Sequence, residues 1–453
     1  MIRSGQVSPV QLAEEALERL DSIGRSLNAV VTLTGELALE QARQAEDEMA
    51  HGVDRGPLHG IPYGAKDLLA TAGIPTTWGM APFQNQVFDE DAAVIEWLRE
   101  AGAVLAAKLA MVEGAGGFGY EQPDAALTGP GKSAWNPEAW AGGSSNGSGS
   151  AVGAGCVPFA IGTETWGSIL IPAAFNGISG FRPTYGTVSR RGAMALSWTM
   201  DKIGPMCLTA QDCATVLGAI AGRDPGDPTT RQGWFEPPAA ATDGLRIAML
   251  RGCAENTQAE VRANFEASLD VLRTMGTVHE VDLPDLPWNE AASTIITVEV
   301  AAAFEEFIRA GQNEQLTAPE DRIGLLEGLV IPAVDYLRAM RVRRKGTRAM
   351  DDLLAGFDVI VAPSAAFVAT PLQDRFESWF EGWQGPSLGA AGNLCGLPSI
   401  SVPNGFGERG LPTGLELMGR AYNDGRVLAA AMRYQELTDW HTRRPRQGSG
   451  GAA

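Results

Sequence analysis

AGGSSNGSGS (141–150), AVGAGCVPFAIG (151–162) and GTETWGSILIPAAFNG (162–177) decide how this chain is read. Glycine–serine composition alone reads as a flexible linker. Here it runs straight into an apolar segment that must be buried. Its small residues also recur at spacings that let a helix pack very closely. The turn Gly142-Gly143-Ser144-Ser145 is therefore expected to present a hydroxyl rather than to dangle. In the last stretch, Ser168 follows Gly167 and precedes an apolar run containing Pro172. Glycine lets a backbone approach a substrate carbonyl closely. The N–H groups of Thr165, Trp166, Gly167 and Ser168 are candidate oxyanion donors, each contributing about 3–4 kcal/mol to a transition state.

Upstream lies LHGIPYGAKDLL (58–69), where Lys66 is flanked by small and apolar residues. Burial disfavours the charged form of a lysine and lowers its pKa. A neutral amine could then draw a proton through a hydroxyl relay and activate a serine. Histidine offers little competition. The four histidines are His51, His59, His279 and His441, with no HExxH motif and no pair at metal-ligand spacing. His59 is the only one beside a candidate motif, and it reads as a support for the backbone. No metal or other cofactor is expected.

The 453 residues are 45% hydrophobic and 20% charged, as in ordinary soluble globular proteins. The net charge is −19. An acidic chain repels phosphate backbones and anionic membranes, so no direct nucleic-acid partner and no membrane partner is expected. The five cysteines are scattered and form no CxxC pair, which argues against a disulfide framework or a structural zinc. No run of about 18 apolar residues suggests a membrane span. The amphipathic N-terminus lacks an apolar signal region. A cytoplasmic location is the default expectation.

Helical and strand patterns alternate. Ser8-Pro9 predicts a capped helix to about Ile23. Further helices are predicted over 35–50, 91–101, 210–221 (capped by Thr209) and 257–275, and 288–355 is the most strongly helical region, with charges on one face. Strands are predicted over 103–109, 245–252, 358–364, 399–403 and 413–419. The fold class is α/β, a single large domain over residues 1–446 with a central mixed β-sheet covered by helices. The Pro-rich stretch 224–239 reads as a surface loop, and QGSGGAA (447–453) as a flexible C-terminal tail.

Together the three segments resemble the amidase signature family of serine hydrolases. Its hallmarks are GGSS(G/N)GS, then GTDTGGSIRxPAAxxG, with an upstream GIPxxxKD. The resemblance extends to SGFRPTYGTVSRRGAMALSWTMDKIGPM (179–206), NLCGLPSISVPNGF (393–406) and GLPTGLELMGR (410–420). By that resemblance Ser168 is the nucleophile, Ser144 is the bridging serine preceded by a cis peptide bond, and Lys66 is the general base. Three positions depart from the pattern. Glu164 stands for the usual Asp, Trp166 for a glycine, and Leu170 for an arginine two residues after the nucleophile. Trp166 reads first as a packing residue and second as a wall of the substrate pocket. Leu170 removes a nearby cation.

These departures imply a small-molecule substrate whose acyl side is neutral and apolar. Aryl or alkyl amides come first, with carbamates (urethanes) and simple esters beside them, and glutamine-like anions are expected to be poor. One branch of the family supplies the amidase component of tRNA-dependent amidotransferases. Residues 182–206 resemble that branch, which makes it the alternative to a stand-alone hydrolase. A P-loop reading is prompted by ALTGPGKS (126–133), which needs a strand before it and a helix after it.

Overall fold

The computed structural model of the chain describes residues 2, 3, 5–231, 235, 238, 244–380 and 385–446. Eleven strands run in chain order: β1 (Val30–Leu33), β2 (Pro62–Lys66), β3 (Val104–Leu109), β4 (Phe159–Glu164), β5 (Ser179–Arg182), β6 (Lys202–Cys207), β7 (Leu245–Leu250), β8 (Gly276–Val281), β9 (Val359–Pro363), β10 (Ser399–Phe406) and β11 (Pro412–Met418). They form one sheet in the order β1-β3-β2-β4-β6-β5-β10-β11-β9-β7-β8. β2 pairs in parallel with β3 and β4, and β7 with β8 and β9, while the pairs between these blocks are antiparallel. The chain is thus a mixed-sheet α/β domain with helices on the sheet.

The middle of the sheet is buried on both faces, its charged residues included. Every residue of β2, β3, β4, β5 and β6 is buried. Strands covered on both sides read as continuous apolar or small-residue runs, without alternation. The predicted capped helix is present as Pro9–Arg19, with Ser8 accepting from the amides of Val10 and Gln11, and a π-helical turn Leu20–Gly24 extends it. The region 288–355 is divided into four α-helices, Trp288–Ala303, Glu305–Arg309, Pro319–Glu327 and Ala333–Leu354. Proline opens Pro319–Glu327 and caps Ala333–Leu354, where its fixed φ suits a helix start.

The glycine–serine stretch is the buried helix Asn146–Gly153. A Cβ on Gly147 would lie 2.5 Å from both the Ala110 nitrogen and the Ala29 oxygen, so only glycine allows that approach. ALTGPGKS takes another form from the one a phosphate loop requires. No strand precedes it and no helix follows it, and Lys132 Nζ donates to the Ser26 carbonyl oxygen at 3.1 Å. The P-loop reading, weighed only as a remote alternative, lacks the strand–loop–helix context it needs. Parts of 224–239 and all of the tail 447–453 lie outside the described residues.

Candidate active site

Parallel pairing places the carboxyl ends of β2 and β4 side by side, with Ala65 opposite Ile161. Lys66 ends β2, and Thr163 and Glu164 end β4. Carboxyl ends of parallel strands are where α/β sheets open toward ligands. Lys66 is fully buried. Its Nζ donates to Ser144 Oγ at 2.8 Å and to Thr163 Oγ1 at 2.9 Å. Ser144 follows the cis Gly143–Ser144 peptide bond. Among the described residues, no carboxylate lies within ion-pair distance of the amine. Burial pushes its pKa down to about 7, against the upward pull of the charges on Asp201 and Glu164.

Ser168 lies in the turn between β4 and the helix Leu170–Asn176. Gly167 permits that turn with φ +83°, a left-handed value that a Cβ disfavours. The two serine segments are tied together, since the Ser145 amide donates to the Ser168 carbonyl oxygen at 3.3 Å and Ser145 Oγ to that of Thr163 at 3.2 Å. Among the described residues, no hydrogen bond joins the hydroxyls of Ser144 and Ser168. Such contacts often tighten only around bound substrate.

A buried carboxylate holds the turn from below. Glu164 Oε2 accepts from the amides of Ile169 at 2.9 Å and Leu170 at 3.0 Å. Its Oε1 accepts from Arg182 at 2.6 Å and from Asn393 Nδ2 at 2.9 Å. Burial alone would raise its pKa, but the charge and hydrogen bond of Arg182, the charge of Lys202 and the Ile169 amide bring it down to about 2. Thus the two amides after Ser168 are occupied. Those of Thr165, Trp166, Gly167 and Ser168 have no hydrogen-bond acceptor among the described residues. Thr165 is anchored by its hydroxyl, which donates to Asp201 at 2.6 Å. Asp201 in turn accepts from the amides of Leu196 and Ser197, both at 2.9 Å.

A cavity of about 950 Å³ opens on this turn. Its walls include the rings of Tyr120, Trp140, Trp166, Phe175, Phe367 and Phe376. Trp166 is 38% exposed and lines that cavity, where the first expectation was a buried packing residue. The reason is local: the turn at Gly167 leaves Trp166 outside the strand. Leu170 is buried and lines the same cavity. One cation remains despite the leucine, because Arg182 also lines the cavity, but its charge is matched by Glu164. His59 accepts from the Arg55 amide at 3.2 Å, the backbone support expected of it.

The fold and these contacts can be set against known proteins. Residues 11–428 match the family model described as Amidase. The chain belongs to the amidase family. Its members act on carbon–nitrogen amide bonds, and this chain is an amidase-family enzyme of that kind. A glutamyl-tRNA(Gln) amidotransferase subunit from Aromatoleum aromaticum is 36% identical over 478 residues, covering 97% of this chain and 96% of that protein. The native peptide amidase of Stenotrophomonas maltophilia superposes with a TM-score of 0.85 at 31% identity, covering 99% of this chain and 97% of that one. The corresponding glutamyl-tRNA(Gln) amidotransferase subunit from Thermotoga maritima superposes at 0.76 with 26% identity, covering 96% and 95%.

Sequence reading alone missed Thr163 and Asp201 as partners of the site and gave Glu164 no role. Thr163 and Glu164 sit in the quoted motif, so a signal existed. Arg182 reaches the site from β5, Asp201 from the residue before β6, and Asn393 from a distant helix.

Proposed function

We propose that this chain is a histidine-free serine amidase acting on neutral aryl or alkyl amides, with carbamates and simple esters as further substrates. Ser168 Oγ attacks the scissile carbonyl carbon and its proton passes through Ser144 to neutral Lys66. The free amides of 165–168 receive the negative charge that builds on the carbonyl oxygen. Lys66 then returns the proton to the leaving nitrogen through Ser144. Water attacks the resulting ester of Ser168 by the same relay, releasing the acid. The observation that carries this reading is the buried Lys66 bonded to Ser144 at the edge of an aromatic cavity.

The cavity lining favours neutral substrates. Arg182, the one cation among its described lining residues, is paired, and Glu164, Glu290 and Glu416 also line it, so a free carboxylate gains little there. Apolar burial contributes roughly 25 cal/mol per Å², enough for a phenyl group to dominate binding. A second reading has the better support from relatives: the 36% identical protein from Aromatoleum aromaticum bears the name of an amidotransferase component. On that reading the chain would release ammonia from an amide donor beside a partner protein.

Two measurements decide between them. The purified single chain should hydrolyse a neutral anilide or carbamate with higher kcat/KM than glutamine, without a partner. Preference for glutamine, or activity only with a partner protein and tRNA, would establish the amidotransferase reading. A serine-directed phosphonate should label Ser168, and labelling that persists in Ser168→Ala would remove it from the nucleophile's role.

A further inference from the structure

The aromatic cavity has a polar base that the chemistry above does not use. Asn393 is fully buried on the helix Gly389–Leu394 and lines the cavity. Its Nδ2 donates to Glu164 Oε1 at 2.9 Å and to the Gly389 carbonyl oxygen at 3.0 Å. Both partners accept only, so the amide orientation is fixed and Oδ1 must point the other way. That oxygen has no hydrogen-bond partner among the described residues. A buried acceptor left unpaired is costly, and one lining a ligand cavity acquires its partner from the ligand.

Glu416, on β11, lines the same cavity and is 4% exposed. Ser399 Oγ lies 2.7 Å from Glu416 Oε1 and 3.1 Å from the Leu417 carbonyl oxygen. A hydroxyl has one hydrogen and cannot serve both. Both contacts are hydrogen bonds when Glu416 is the acid: it donates to Ser399, and Ser399 donates to Leu417. Burial pushes the Glu416 carboxyl up to about 7, with Arg182 and Ser399 opposing and Glu164 adding to the rise. The second oxygen of the acid is then a carbonyl acceptor with no protein hydrogen bond among the described residues. Arg182 spends its guanidinium on Glu164, the Leu397 carbonyl and the Met418 sulfur. The base of the cavity therefore offers two acceptors beside a matched ion pair.

We propose that Asn393 and Glu416 form a specificity subsite that takes a neutral hydrogen-bond donor on the substrate: an aromatic amine, a hydroxyl or a second amide N–H. The subsite deepens the neutral-amide reading and rests on it. A carboxylate meets two acceptors and a guanidinium whose charge Glu164 already matches, and a cation meets that same guanidinium. A methyl group in the donor's place leaves both oxygens unpaired, so a site built this way rejects the analogue that lacks the donor.

The test uses binding, so that it stands apart from turnover. Ser168→Ala protein is titrated calorimetrically with 3- and 4-aminobenzamide and with 3- and 4-methylbenzamide. At least one amino isomer should bind about five- to tenfold more tightly than its methyl counterpart, the scale of one net hydrogen bond. Adding Glu416→Met should bring that ratio near one. Adding Glu416→Gln should keep it, because the glutamine nitrogen can donate to Ser399 while its oxygen takes the carbonyl's place. Equal binding of amino and methyl isomers, no binding of any, or an unchanged ratio in Glu416→Met would overturn the subsite. Hydrolysis of the same compounds by the unsubstituted enzyme is measured separately. Its failure would count against the neutral-amide reading while the binding ratio still judges the subsite.

Discussion

The acid side of the pH–rate profile should belong to Lys66. When charged, Nζ has three hydrogens to place, and its contacts are two hydroxyls at 2.8 and 2.9 Å and the Thr163 carbonyl oxygen at 3.5 Å. None carries a charge that would offset burial, so the pKa sits at about 7. Only the neutral amine accepts the proton of Ser168. kcat/KM for a neutral anilide should therefore rise with pH through a midpoint near neutrality. One pH unit below that midpoint about a tenth of the plateau remains, and two units below about a hundredth. Lys66→Arg removes the acceptor at every accessible pH, because arginine stays charged. It should lose at least ~100-fold at the plateau. Asp201→Asn removes a charge that raises the Lys66 pKa, so the limb should move to lower pH whatever happens to the plateau. The assay is initial rate against pH from about 5 to about 9, with enzyme integrity checked at each end. A flat profile would refute the lysine mechanism. So would a midpoint typical of an exposed carboxylate, or a limb that persists in an active Lys66→Arg protein.

Burying Lys66 should also cost stability. Its folded pKa of about 7 lies below the ordinary value of 10.5, so between them the unfolded chain binds the extra proton and stability rises with pH. Lys66→Met should thus melt higher than the parent at neutral pH, and calorimetry should show the gap narrowing as pH climbs toward the ordinary lysine pKa. Arg182→Met leaves Glu164 charged and uncompensated in the interior, and denaturant unfolding should show a loss of about 3–5 kcal/mol. Trp166→Ala should raise KM for an aryl amide roughly three- to tenfold by removing one aromatic wall. If kcat fell and KM stayed, Trp166 would instead belong to the positioning of the turn.

Local chemistry was legible in the sequence where local geometry produces it. The glycines at 142, 143 and 167 and the serines at 144 and 168 specify turns by themselves. The small residues of 146–153 specify a helix that packs closely, and that helix is present. Lys66 was legible as a buried lysine because its neighbours are small and apolar. What escaped was set by strand order. β6 pairs with β4 and β5 lies beyond it, although β5 comes first in the chain, and Asn393 lies 229 residues from Glu164. No periodicity links Glu164 to Arg182 and Asn393, because their contact exists only once the antiparallel strands are paired. Trp166 escaped for a different reason. Indole composition says that a residue is apolar, and only the left-handed turn at Gly167 decides that it faces a cavity. The same logic explains Glu164. Its place in the motif marked it as a variant of an aspartate. Its two amide contacts and its arginine show that the carboxylate holds the turn of Ser168 in place, a role that a one-dimensional pattern cannot display.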